Sequence, residues 1–146
     1  MSQTQSDKIV ALARGWIGTP YHHQGSTVGA GCDCLGLVRG VYRDLVGRDA
    51  ETPPPYSRDW AEAAGVETLL AAARRHLVEI APAAATAGDV VVFRFRRTAM
   101  AKHVGILTSP DSMVHATESA PATEIALTPW WRRRIVAAFS FPTVVG

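Results

Sequence analysis

The stretch Gly31-Cys32-Asp33-Cys34-Leu35-Gly36-Leu37-Val38 stands where a glycine-rich loop gives way to a helix, and its reading decides the fold. Leu35, Val38, Tyr42 and Leu45 recur at helical spacing and Gly47 suits a C-terminal cap, so a buried helix is expected from Cys34 to Val46. Upstream, Ser6 or Asp7 can cap a first helix that runs to about Trp16 and gathers Ile9, Leu12, Ala13 and Trp16 on one face. Gly18-Thr19-Pro20 stops that helix. Tyr21 to Gly31 then reads as a polar loop of about a dozen residues, long enough to suggest a functional role.

Downstream, Thr52-Pro53-Pro54-Pro55-Tyr56 cannot be helical and reads as an extended crossing segment. A third helical region is expected over about Asp59 to Arg75, carrying Trp60, Leu69 and Leu70 and interrupted at Gly65. After the connector from Ala81 to Ala87 the period changes. Val90 to Phe95, His103 to Leu107, Ser112 to His115, Glu124 to Leu127 and Ile135 to Phe141 are short strand-type runs divided by turn residues. Helices first and strands second predict an α+β fold, with N-terminal helices packed on a mostly antiparallel β-sheet, in one domain over residues 1–146.

Composition narrows the function. Hydrophobic residues make up 47% of the 146 and charged residues 19%, enough apolar matter for a real core and too little charge for disorder. The net charge of +2 implies no nucleic-acid partner. No apolar run reaches the roughly 18 residues of a membrane helix. The polar start Met1-Ser2-Gln3-Thr4-Gln5-Ser6-Asp7 lacks a basic-then-apolar secretion signal, so export is expected to need a carrier. Cys32 and Cys34 are the only cysteines, and their spacing at a helix start suits a disulfide poorly.

Chemistry enters with three residues taken together. Cys34 opens a helix, where unpaired amides and the helix dipole should favour a thiolate and hold an oxyanion. His103-Val104-Gly105 and His115-Ala116 follow on adjacent strands. If the hairpin pairs Leu107 with Asp111, His103 sits opposite His115 on one face. Cys34 is then the candidate nucleophile, His103 its base, and His115 the group that fixes the base's tautomer. Each residue alone has a bland reading, a packed thiol or a satisfied strand histidine, and the ordered trio is what carries the inference.

Other features are secondary. His22, His23, Cys32 and Cys34 can be assembled on paper into a zinc site, but Cys-x-Cys is a loose spacing and metal would consume the nucleophile. No metal or organic cofactor is expected. Trp130-Trp131-Arg132-Arg133-Arg134 is an aromatic-basic cluster, read as one packed tryptophan beside solvated arginines, with a docking strip as the sharper alternative. Arg94, Arg96 and Arg97 form a second basic group, with Arg94 and Arg96 alternating with Phe93 and Phe95.

The ordered motifs resemble the NlpC family of cell-wall cysteine peptidases. They are Trp16-Ile17-Gly18-Thr19-Pro20-Tyr21, Asp33-Cys34-Leu35-Gly36-Leu37-Val38, Ala87-Gly88-Asp89-Val90-Val91-Val92-Phe93, His103-Val104-Gly105-Ile106 and Val114-His115-Ala116. The resemblance implies a papain-like fold, with Cys34, His103 and His115 as a catalytic triad, Tyr21 lining the substrate site and Asp33 as the acidic residue before the nucleophile, while His22 and His23 are read from the loop itself as residues facing the cleft that could adjust substrate affinity. It implies cleavage of peptidoglycan stem peptides at the bond between D-γ-glutamate and the diamino acid. Leu35 stands where the family more often has serine, and His22-His23-Gln24-Gly25 replaces a commoner arginine-tyrosine-glycine-glycine run; both departures concern the pocket. Cys32-Asp33-Cys34-Leu35-Gly36-Leu37-Val38-Arg39 is similar to the phage-type subgroup, which implies tail hub or baseplate partners, transport in a phage-like particle, and action in the periplasm or cell wall. A vestigial site in a structural tail-tip protein, or an amidase of the same fold, are the rival expectations.

Overall fold

The computed structural model describes residues 3–51, 68–95, 103–118 and 120–144. The expected proline-rich crossing at 52–56 and the first part of the third helical region, 59–67, lie outside the described residues.

Helix α1 (Gln3–Arg14) buries Ile9 and Ala13, and Trp16 continues the same face just past its end. It starts ahead of the expected Ser6 or Asp7 cap, and a tertiary clasp accompanies that early start. The Gln5 side-chain amide donates to the Pro142 carbonyl at 2.9 Å and accepts from the Val144 N–H at 2.9 Å, tying the first turn to the C-terminal segment. Gly18, at φ +90°, turns the chain away. The loop beyond holds a small antiparallel pair, β1 (Ser26–Thr27) and β2 (Gly31–Cys32), in the register Ser26 to Cys32 and Thr27 to Gly31. Two-residue strands carry no periodicity, so the sequence gives no sign of them.

Helix α2 spans Cys34–Val46, as expected, and ends on Gly47 at φ +93°. Leu37, Val38, Val41, Tyr42 and Leu45 are buried on it. Its face also uses small residues: a Cβ at Gly40 would lie 2.0 Å from the Trp16 ring, so α1 and α2 meet there in direct contact. Helix α3 (Thr68–His76) contributes Leu69 and Leu70 to the same core.

The strands β3 (Val78–Ile80), β4 (Val90–Phe93), β5 (His103–Ser109), β6 (Ser112–Thr117), β7 (Ala120–Ala126) and β8 (Ile135–Ser140) form one antiparallel sheet in the order β3-β8-β4-β5-β6-β7. A 3₁₀ turn at Pro82–Ala84 precedes β4, and a short helix α4 (Pro129–Arg132) precedes β8. Alternation gives the sheet two apolar faces. Val90, Val92, Val104, Ile106, Val114 and Phe139 pack with α1 and α2, while Val91, Phe93, Leu107, Met113, Leu127 and Ala138 form a second core on the other side. The four residues of β4 are all buried, because the strand is covered on both faces. No helix of the described residues is long and apolar enough to cross a membrane.

The β5–β6 register differs from the expectation. Leu107 pairs with Met113 and Ile106 with Val114, so the ladder carried onward sets Gly105, and not His103, across from His115. The turn is tighter than expected because the Thr108, Ser109 and Ser112 hydroxyls close on one another at 2.6–2.7 Å. The shift is by two residues, which preserves the face. His103 and His115 therefore meet on a diagonal. Gly105 lies between them, and a Cβ there would come within 2.6 Å of the Met113 sulfur and 3.5 Å of the His115 Cβ.

Candidate active site

The site is built around the first turn of α2. Asp33 is its N-cap, extended at φ −100° and ψ −174°, with Oδ1 accepting the Gly36 N–H at 2.7 Å. Its Oδ2 accepts the Gln24 N–H at 2.8 Å, so one carboxylate fixes both the helix start and the preceding loop. The loop lies directly on the helix: a Cβ at Gly36 would stand 1.7 Å from the Gly25 carbonyl oxygen, and the Ser26 hydroxyl donates to the Gly36 carbonyl at 2.7 Å. Asp33, expected to line the substrate site, is only 4% exposed and engaged with these amides.

Cys34 occupies the first position of α2, half-buried and free. Its thiol is hydrogen-bonded by the backbone of Val104, Leu35 and Cys34 itself, which favour the anion, but burial and then the Asp33 charge push it up to about 12. Desolvation thus outweighs the helix-start effect that the sequence led one to expect. The contact with Val104 puts the sulfur at the beginning of β5, one residue from His103.

His103 and His115 are both buried, and His103 Nε2 is 2.9 Å from His115 Nδ1. One of these nitrogens must donate. With His103 Nε2–H as donor, its Nδ1 is left as the basic nitrogen, and His115 is held with its proton on Nε2. Burial and then the proximity of His115 push His103 down to about 3, and burial pushes His115 down to about 4. Burial thus disfavours the charged form of the thiol and of both imidazoles.

The imidazoles lie in an aromatic enclosure that sequence reasoning did not assign to the site. Trp131 on α4 lies 5.6 Å from the His103 ring at 35° and 5.3 Å from the His115 ring at 88°. Phe93 and Phe95 approach His103 at 5.8 and 5.6 Å. The tandem tryptophan was visible in the sequence, but a four-residue helix gives no signal of which ring turns inward. Trp130 is the outward one, 45% exposed and covered by the Arg134 guanidinium at 3.8 Å from its ring centre. Arg132 is bonded to Asp111.

Tyr21 forms an isolated parallel bridge with Cys32 and is half-buried. The His22 N–H donates to the Cys32 carbonyl at 3.0 Å, while its exposed ring turns to the His23 carbonyl at 3.1 Å; His23 is half-buried. Tyr21 and His22 thus flank β2, whose last residue, Cys32, stands two positions before the thiol. Cys32 is buried in the helix-side core, and burial followed by the Asp33 charge pushes it up to about 11. Among the described residues, no three His, Cys, Asp or Glu side chains are grouped so as to hold a metal ion.

A half-buried thiol at a helix start, beside an antiparallel sheet that carries a hydrogen-bonded imidazole pair, defines a class with recognisable relatives. Residues 18–140 match the NlpC/P60 family, and the chain belongs to that family. It is 27% identical over 134 residues to the gamma-DL-glutamyl hydrolase of Bacillus subtilis (strain 168), a match that covers 91% of this chain and 29% of that protein. The chain therefore spans under a third of the length of that relative. Among solved structures, the NlpC/p60 domain of the peptidoglycan hydrolase SagA superposes with a TM-score of 0.65 at 26% identity, covering 93% of this chain and 98% of that one. An NlpC/P60 family protein from Bacillus cereus ATCC 10987 gives 0.67 at 19% identity over 93% of this chain and 40% of that one, and shares the fold.

Proposed function

We propose that this chain is a cysteine endopeptidase that cleaves peptidoglycan stem peptides, with Cys34 as nucleophile, His103 as base and His115 as the residue that orients it. The observation that carries the reading is the buried His103–His115 hydrogen bond at 2.9 Å on the sheet, with His103 next in sequence to Val104, whose backbone lowers the Cys34 thiol's pKa at the first position of α2. Burial disfavours charge on both thiol and imidazole, so in this reading proton transfer accompanies attack. His103 Nδ1 takes the thiol proton as sulfur adds to the amide carbon, and the carbonyl oxygen becomes an oxyanion. The unpaired backbone N–H groups of the first turn of α2 are the donors assigned to that charge. Collapse breaks the C–N bond as His103 returns the proton to the leaving amine. Water, deprotonated by His103, then hydrolyses the thioester to a carboxylate and restores the thiol.

The bond proposed is that between D-γ-glutamate and the diamino acid. The likeness to a gamma-DL-glutamyl hydrolase and to a peptidoglycan hydrolase domain supports it. The reading extends to delivery by a phage or phage-like tail, with hub or baseplate proteins as partners and the periplasm or cell wall as the place of action. The phage-type resemblance of Cys32 to Arg39 supports that extension. Mass spectrometry of purified peptidoglycan digests tests the chemistry. Fragments ending in γ-glutamate are the expected products; cleavage only between sugar and peptide would replace the endopeptidase with an amidase.

A further inference from the structure

The Trp131 ring lies against both imidazoles. Its ring is tilted over His103 and set edge-on to His115, so it covers the hydrogen bond between them from the side of α4. Phe93 and Trp131 are themselves in edge contact at 5.1 Å, and Phe95 adjoins Trp131 at 6.1 Å. The indole is thus braced from β4 and from the residues just beyond it. We propose that Trp131 is a positioning residue: it seals the His103–His115 hydrogen bond from water and holds the two rings so that His103 Nδ1 remains the free basic nitrogen. The catalytic part of this inference rests on the thiol–imidazole reading above.

An imidazole pair open to water exchanges partners and tautomers, whereas a pair sealed by apolar rings keeps one hydrogen bond and one orientation. When His103 becomes an imidazolium during attack, the π face of Trp131 beside it offsets part of the lost hydration. The charged and titratable neighbours bear on this in known ways. β5 and β6 present the two histidines to each other, and the start of α2 presents Cys34 and Asp33. On α4 and the turn after it, Arg132 is bonded to Asp111 and Arg134 lies over Trp130. Arg94 follows β4, and its backbone N–H donates to the Arg134 carbonyl at 2.9 Å.

The test is a nitrogen-detected titration of the histidine rings by NMR, run on wild type, Trp131→Phe, Trp131→Ala and Phe141→Leu, alongside the pH profile of kcat/KM. In wild type both rings should stay neutral well below pH 5, with a single tautomer each. In Trp131→Ala the titration midpoints should rise by at least one pH unit and tautomers should mix, with kcat falling ten-fold or more and KM changing less than two-fold. Trp131→Phe, which keeps an apolar ring, should show the same changes in smaller measure, and it decides the matter if the alanine variant does not fold. Phe141→Leu, in the helix-side core, should lose stability without moving either midpoint. Unmoved midpoints and tautomers in the Trp131 variants would overturn the proposal. The NMR arm reads out whether or not Cys34 proves to be a nucleophile.

Discussion

Replacing Asp33 separates two roles that the same carboxylate could have. Its oxygens accept the Gly36 N–H at 2.7 Å and the Gln24 N–H at 2.8 Å, and the residue is almost fully enclosed. In Asp33→Ala both donors lose their acceptor. An N-cap lost to alanine costs about 1 kcal/mol, and a buried donor left unmet costs roughly 1–3 kcal/mol. These overlap at Gly36, so the expected loss is about 3 kcal/mol, or roughly 6–12 °C in melting temperature for a chain of this size. Asp33→Asn keeps one acceptor oxygen and sets an NH₂ group against the second donor, so about half of that loss is expected. The thiol moves the other way. Removing the Asp33 charge eases ionisation of Cys34, so alkylation by iodoacetamide at fixed pH should speed up in Asp33→Asn. Urea and thermal denaturation followed by circular dichroism, with alkylation followed by intact mass, measure both effects. A melting temperature in Asp33→Ala within about 2 °C of wild type, accompanied by a raised KM, would refute the capping argument and return Asp33 to the substrate site.

Two further outcomes follow from the same geometry. Gly36→Ala should fail to fold or lose more stability than Asp33→Ala, because its Cβ would meet the backbone carbonyl of Gly25 and not a yielding side chain; a near-native urea midpoint would show that the loop does not lie on α2 as described. Acid should destabilise the fold through the histidine pair. Both folded-state values lie below the unfolded value of about 6.5, so the unfolded chain takes up protons first and the stability the pair contributes above that pH is lost as pH falls toward about 4 for His115 and about 3 for His103. Melting temperatures from pH 7 to 4 should fall more steeply in wild type than in a His103→Gln, His115→Gln double variant; equal slopes would contradict burial of the pair.

The legibility of this chain tracks how much each feature depends on distant contacts. Helix α2 was readable to its ends because its apolar spacing and the Gly47 stop are local. The runs behind β4, β5 and β6 were readable because β-branched and apolar residues cluster between turn residues. β1, β2, β3 and α4 were not, since elements of two to four residues are held by pairing and packing from elsewhere. The start of α1 was misplaced for a similar reason, its first turn being tied to Pro142 and Val144. At the site, the shared face of His103 and His115 was legible from the period of two, but their register was not, because it depends on the hydroxyl cluster that tightens the turn. Asp33 shows the limit of motif matching: its position next to the thiol suggested substrate, while its hydrogen bonds show a cap. Trp131 required the fold itself, since only the packing of α4 decides which of two adjacent tryptophans faces the histidines.

The central claim is that Cys34, and not its neighbour Cys32, performs the chemistry. The measurement that tests it most directly is turnover of a defined stem peptide containing the γ-D-glutamyl bond, by wild type, Cys34→Ala and Cys32→Ala, each checked for folding by circular dichroism. Wild type and Cys32→Ala should release the free diamino-acid amine, and Cys34→Ala should release none. Hydrolysis by Cys34→Ala at a rate near wild type, or loss of turnover in a folded Cys32→Ala instead, would contradict the account.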